Sequence, residues 1–294
     1  MTNTAIPSEN DIVASSPTRE ALHMFLRNRA AVLGVILLSA VLLLTIVGRI
    51  VYAVDPFDIV GAPFTAPWTD KSVPLGTDHL GRNILAGLIS GGLATLTVGG
   101  AAALLTLGIG LLVGALAGYF GGWVDEMLMR LTEFFQVLPS LILAMVLVSL
   151  FSPTLTTVTI AIGLVSWPTT ARLTRAEFLK LKQLEYVKSA RAIACSDAYI
   201  ITRIILPNAL PPLVISATLV IGAAILFEAG LSFLGLGDPN IMSWGLMIGT
   251  GRPYALDAWW VIALPGFAIF LTVLAVSLIG DGLNDAFNPK LRDR

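Results

Sequence analysis

The residues of this chain that could do chemistry are few and far apart. Cys195 is the single cysteine and His23 and His79 the only histidines, which excludes an internal disulfide and leaves a His/Cys metal cage without a ligand set. No GxxxxGK[ST] phosphate loop occurs, so no Walker A nucleotide site is encoded. Neither HExxH nor GxSxG is present, and no predicted span holds two carboxylates that could cleave a bond or relay a proton. Glu133 and Glu228 do lie within reach of apolar sequence, each near the end of a span where water is accessible. With Gln136 they are candidates for lining or gating a pathway, against the plainer reading that they are structural. What remains is the segment 185–207, EYVKSARAIACSDAYIITRIILP, charged and helix-forming between two apolar blocks. Its chemistry is recognition: cationic side chains held out of a membrane form a handle for something in the cytoplasm.

The elements that must position these residues are membrane helices. Of the 294 residues, 56% are hydrophobic and 13% charged, a balance outside the soluble range, and the mean hydropathy is +0.84. Residues 30–48 carry no charge and suffice to cross roughly 30 Å of hydrocarbon. About 29 residues precede them, so they read as a retained anchor rather than a cleaved signal. The uncharged stretch 84–124 is too long for one crossing, which places its span at 91–118 with the first residues at the interface. The stretch 134–171 is also uncharged, and the Ser152-Pro153-Thr154 break divides it into two spans joined by a tight turn. Residues 204–227 and 258–280 complete a predicted six.

Orientation follows from the cations. With the N-terminus inside, fourteen Lys and Arg fall in inside segments and four outside, which places both termini and the charged segment in the cytoplasm. The resulting plan is a cytoplasmic tail over 1–29, a first helix over 30–50 and an extracytoplasmic loop over 51–90. A five-helix core follows over 91–285, with a cytoplasmic loop at about 173–208, and then a tail over 286–294. The first 18 residues have the composition of a disordered tail. The loop 52–82 is long enough to form a small cap. Gly110, Gly114, Gly118 and Gly122 recur at four-residue spacing and put a smooth ridge on one helix face, for fixed packing or for sliding.

Four stretches carry a family resemblance: PLGTDHLGR at 74–82, WPTTARLTR at 167–175, EAGLSFLGLG at 228–237 with Ser243-Trp244-Gly245, and PGFAIFLTVLAVSLIGDGLND at 265–285. In this order and spacing the chain resembles the permease subunit of the dipeptide/oligopeptide/nickel class of bacterial binding-protein-dependent ABC importers, over nearly its whole length. The family's coupling pattern is EAA, three residues, Gly, nine residues, then I-x-LP. Here it falls on Lys188-Ser189-Ala190, Ala194, Ile204, Leu206 and Pro207, with Glu185, Tyr186 and Arg191 in the same loop. Lys188 stands where the family has Glu, Ser189 where it has Ala, and Ala194 where it has Gly. Since Ala disfavours positive φ, the turn must either use right-handed geometry or carry strain. Asn83 stands where relatives commonly have Asp.

The resemblance implies an all-α bundle of the type I importer kind, and a loop of two short helices that docks into a cleft on a cytoplasmic ATPase. It further implies a homologous second permease, two ATPase subunits that bind the ATP and magnesium, and a soluble binding protein on the outer face. The chain itself would bind no cofactor, perform no bond-making chemistry and contact no nucleic acid. Di- or oligopeptides are the expected cargo, with nickel complexes, glutathione or oligosaccharides as alternatives on the same machinery. A secondary transporter would show inverted repeats and midmembrane charges; no repeat relates 30–150 to 150–280 and the midplane is nearly free of charge. An inert scaffold is the remaining alternative.

Overall fold

A computed structural model describes residues 17–287, with the side chains of 17–21 left aside. Of the expected tails, 1–29 and 286–294, residues 1–16 and 288–294 lie outside the described residues, while 17–27 form a helix. Among the described residues every regular element is helical apart from two isolated bridges, Ile59 to Arg82 and Thr77 to Asn83. In chain order the helices are α1 (Pro17–Arg27), α2 (Arg29–Val51), α3 (Ile84–Phe120), α4 (Gly122–Val137), α5 (Ser140–Leu150) and α6 (Leu155–Lys182). Then follow α7 (Glu185–Ala192), α8 (Asp197–Tyr199), α9 (Leu206–Phe233), α10 (Trp244–Gly251) and α11 (Trp260–Phe287).

The helix starts are written in the local sequence. Asn28 caps α2, its side-chain oxygen accepting from Ala30 N at 2.9 Å and Ala31 N at 3.1 Å. Its amide also donates to Asp285 Oδ2 at 2.8 Å, pinning the start of α2 to the end of α11. Asn83 caps α3 in the same way, through Leu85 N at 2.9 Å, and donates to the Tyr52 hydroxyl at 2.7 Å. A carboxylate there would cap the helix but could not donate to Tyr52.

α3 runs unbroken for 37 residues from Ile84, so the residues expected at the interface are its first turns. It is zipped to α6 by close backbone approach. A Cβ on Gly110 would meet Thr170 Cβ at 2.6 Å, one on Gly114 the Ala171 carbonyl oxygen at 2.3 Å, and one on Gly118 Phe178 Cβ at 2.7 Å. Gly122 leaves the ridge: it has open space around it and φ +53, opening α4 after the turn at Gly121. The ridge is therefore three glycines long, and it makes α3 and α6 one packed body.

The Ser152–Thr154 break appears as expected between α5 and α6. The span before it is different from the expectation. α4 and α5 meet at 86°, at Leu138-Pro139, where Pro139 restricts its predecessor to extended backbone. At 11 residues α5 reaches only ~16 Å and cannot cross the bilayer alone. Among the described residues four helices are long and apolar enough to span, Arg29–Val51, Ile84–Phe120, Asp197–Phe233 and Trp260–Phe287, and the bent pair is either a broken fifth span or a re-entrant loop. The sixth expected crossing falls on α6, which is long enough at 28 residues but carries Arg172, Arg175, Lys180 and Lys182 in its second half.

Buried residues form three layers along the bundle. One, around Trp244, Met247 and Trp260, lies beneath the loop 52–83. That loop is tied down by the Trp260 indole donating to Thr77 O at 3.1 Å and by His79 stacked on Tyr254 at 5.0 Å. A middle layer holds Val98, Val148, Ile162 and Leu231. The third, with Phe178, Val187, Ile200 and Ile205, seats the helical hairpin at the opposite end.

Candidate functional site: a helical hairpin and the cavity it is linked to

α7 is amphipathic and eight residues long, so packing rather than propensity holds it. Val187 and Ala190 turn inward against Phe178, Leu181, Ile200 and Ile205, and burial of Val187 alone is worth about 1.5–3 kcal/mol. Glu185 in the first turn and Arg191 in the last suit the helix dipole. The helix ends in a Schellman arrangement: Ala194 N donates to Arg191 O at 3.0 Å and Cys195 N to Ala190 O at 3.1 Å. That motif requires a left-handed residue at its centre, and Ala194 has φ +57. The choice left open by the sequence is thus settled on the strained side. Left-handed backbone costs a non-glycine residue about 1–2 kcal/mol, and here the 6→1 and 5→2 bonds hold it in place.

Ser196 caps the returning arm. Contrary to the expected pair of short helices, this arm is not a separate helix. α8 passes through a π-helical segment, Ile200–Ile205, directly into α9, giving one helix from Asp197 to Phe233. Pro207 follows directly on the π-helical segment inside this continuous helix, and the wider turn there, where Leu206 N donates to Ile201 O five residues back, accommodates a residue without an N–H.

The predicted hairpin residues divide into two groups. Glu185, Tyr186, Lys188, Ser189, Arg191, Ala194 and Pro207 are exposed. Ala190 is buried and Leu206 half-buried, and both belong to the layer that seats the hairpin. Lys188 Nζ donates to Glu185 Oε1 at 2.9 Å across one turn. Arg191, three residues on, turns instead over the Tyr119 ring at 5.4 Å. Reading the loop as a charge pattern missed its exposed apolar set, Ile193 at 77% exposure, Tyr199 at 52% and Leu184 at 41%. The available signal was Ile193 itself, a branched apolar residue beside a tight turn.

A cavity of about 550 Å³ opens among α3, the α4–α5 bend, α6 and α9. Its polar lining is amide and hydroxyl only, from Gln136 and from Thr106, Ser140, Ser166, Thr169, Thr170 and Ser216, set among Phe135, Leu138, Leu219 and Phe227. Among the described residues no charged side chain lines it. Of the three pathway candidates, Gln136 is in its wall, whereas Glu133 is exposed on α4. Glu228 is 3% exposed and sits apart. Its Oε1 accepts from Ser232 Oγ at 2.7 Å and Ser243 Oγ at 2.9 Å, joining α9 to the cap of α10, while Oε2 has no partner among the described residues. Among the described residues, no three His, Cys, Asp or Glu side chains converge as a metal site.

A long-helix bundle with a bent crossing and a protruding hairpin defines a polytopic membrane transport protein, and the comparisons with known proteins agree. Residues 110–293, more than half of the chain, match the family described as "Binding-protein-dependent transport system inner membrane component". Residues 16–81 match the N-terminal transmembrane domain of oligopeptide transport permease C. The chain belongs to the family of binding-protein-dependent transport system inner membrane components, multi-pass proteins of the bacterial inner membrane. The dipeptide transport system permease protein of Alkalihalophilus pseudofirmus is 36% identical, over 97% of this chain and 94% of the relative. The di/tripeptide transport system permease protein of Pseudomonas aeruginosa is likewise 36% identical, over 97% and 96%. Among solved structures, an inward-facing conformation of the MetNI methionine ABC transporter matches with a TM-score of 0.58 at 20% identity, covering 70% of this chain and 98% of that one. That likeness supports the type I importer fold.

Proposed function

We propose that the chain is the permease subunit of an ATP-driven importer and that its cargo is di- or oligopeptides, the substrates named for its relatives. One observation carries the mechanism. The helix that forms the returning arm of the hairpin also supplies Ser216, Leu219, Val220, Ala223 and Phe227 to the cavity wall. A cytoplasmic ATPase that closes on ATP would grip the exposed residues of the hairpin and displace α9 as a lever. The cavity would then alternate between the two sides of the membrane. A homologous second permease would complete the pathway, and a binding protein would deliver the peptide to the opposite face. The chain supplies positioning and gating, and hydrolysis belongs to the ATPase subunits.

The uncharged lining suits this cargo. A wall of hydroxyls and amides can exchange hydrogen bonds with any peptide backbone, yet holds no counter-charge to trap its termini. The test is uptake in vesicles containing this chain, its sister permease and the ATPase subunits, with binding protein outside. Labelled dipeptide should accumulate with ATP, and a labelled nickel chelate, glutathione and an oligosaccharide should not. ATP-driven accumulation of one of these in place of dipeptide would overturn the substrate assignment.

A further inference from the structure

At the end of α3, Tyr119 is 3% exposed, and three elements of the hairpin end converge on it. Its hydroxyl donates to Asp197 Oδ1 in the first turn of α8. Over its ring lie the Arg191 guanidinium from α7, 5.4 Å from the centroid, and the Lys182 ammonium from the end of α6, at 5.8 Å. Lys182 Nζ also donates to the Tyr119 carbonyl, one of the last carbonyls of α3, where a cation is favoured. Arg191 and Asp197 belong to opposite arms of the hairpin and flank its tip, and both side chains reach back to one phenol.

This placement matters because of what each helix carries. The α9 arm leads to one wall of the cavity. Thr106 of α3 and Val165, Thr169 and Thr170 of α6 belong to the other wall, and the glycine ridge fuses α3 and α6 into one body. The hairpin's continuous helix moves the first wall directly, whereas its polar ties to the α3 end run through Tyr119. We infer that Tyr119 is a positioning residue that latches both arms of the hairpin to the α3–α6 body, so that one displacement of the hairpin moves both cavity walls together. The inference rests on the importer reading of the hairpin.

The latch predicts a loss of coupling rather than a loss of parts. In vesicles containing the complete transporter, with binding protein outside, ATP hydrolysed and substrate imported are measured together. Tyr119→Phe keeps the ring beneath both cations and removes the hydroxyl, with its bond to Asp197 and its polar contact with Arg191. It should raise the ATP hydrolysed per substrate imported by about fivefold or more, the low end of couplings between sites. Asp197→Asn, which leaves the tyrosine in place and removes the charge from the acceptor, should raise the ratio in the same direction. The double variant should add little to Tyr119→Phe, because both substitutions act on one bond. A merely structural role would lower hydrolysis and import together and leave the ratio at the wild-type value, which would overturn the latch. Additive effects in the double variant would overturn it as well. Absence of ATP-driven import by the wild-type complex would instead overturn the importer reading beneath it.

Discussion

Ala194 carries a cost that its relatives' usual glycine would not. Its φ of +57 is imposed by the two bonds that close α7, so replacement by glycine relieves the backbone without touching a side-chain contact. Ala194→Gly should stabilise the hairpin by about 1 kcal/mol, read as slower amide hydrogen exchange across 185–205. Unchanged or faster exchange would show that the turn is not strained. Lys188 is the milder departure. Its pair with Glu185 is solvent-exposed at both ends, a class worth about 0.3–0.5 kcal/mol on a helix. Lys188→Glu, which restores the family's usual residue, should therefore leave transport within about twofold of wild type. A tenfold loss would mean that Lys188 itself is gripped by the partner. At this scale the sequence was informative where a residue type forces a backbone state. Ala194 announced a conflict, but only the structure shows which way it was resolved. Tyr119 was illegible, because a tyrosine at the end of an apolar helix gives no sign that Asp197 will fold back onto it.

Packing between elements depends on which glycines are covered. Gly114 and Gly108 lie on one helix six residues apart, and their surroundings are opposite. A methyl group on Gly114 would sit 2.3 Å from the Ala171 carbonyl oxygen, whereas one on Gly108 meets nothing within 4 Å. Gly114→Ala should force α3 and α6 apart at a cost of about 1–3 kcal/mol, seen as a lower thermal midpoint and a smaller yield of folded protein. Gly108→Ala should be neutral or slightly stabilising. Equal behaviour of the two variants would refute the zipper. The four-residue glycine period was legible, and so was the break at Ser152-Pro153-Thr154. The bend at Leu138-Pro139 was not, since hydropathy records apolar length and is blind to direction. The merging of α8 into α9 was hidden for a related reason: Pro207 reads as a break, yet behind a π-helical turn it continues a helix already under way.

Taken whole, the molecule has a capped end and a hairpin end, and the proposal requires the hairpin in the cytoplasm. The excess of Lys and Arg at that end supports the assignment. Reporter fusions after Pro67 and after Asp238 should read outside, and fusions after Lys182 and after Arg294 inside. An outside reading at Lys182 would invert the molecule and remove the hairpin from any ATPase. Fold class and family were legible at this scale because composition and four spaced motifs constrain the entire chain. The cavity was not, because its wall gathers Gln136, Ser166 and Ser216 from three separate helices, and none of them is unusual in its own stretch.

The central claim is that the hairpin docks into a partner that drives α9, and a residue at its tip tests it most directly. Ala194→Trp adds bulk at the exposed turn, while the packed face of α7, Val187 and Ala190, is left intact. The decisive measurement is substrate uptake alongside recovery of the ATPase subunits by pull-down, with insertion and pairing to the sister permease verified in the same membranes. The account predicts that uptake collapses and ATPase recovery falls while insertion and pairing persist. Normal uptake with normal ATPase recovery would contradict it.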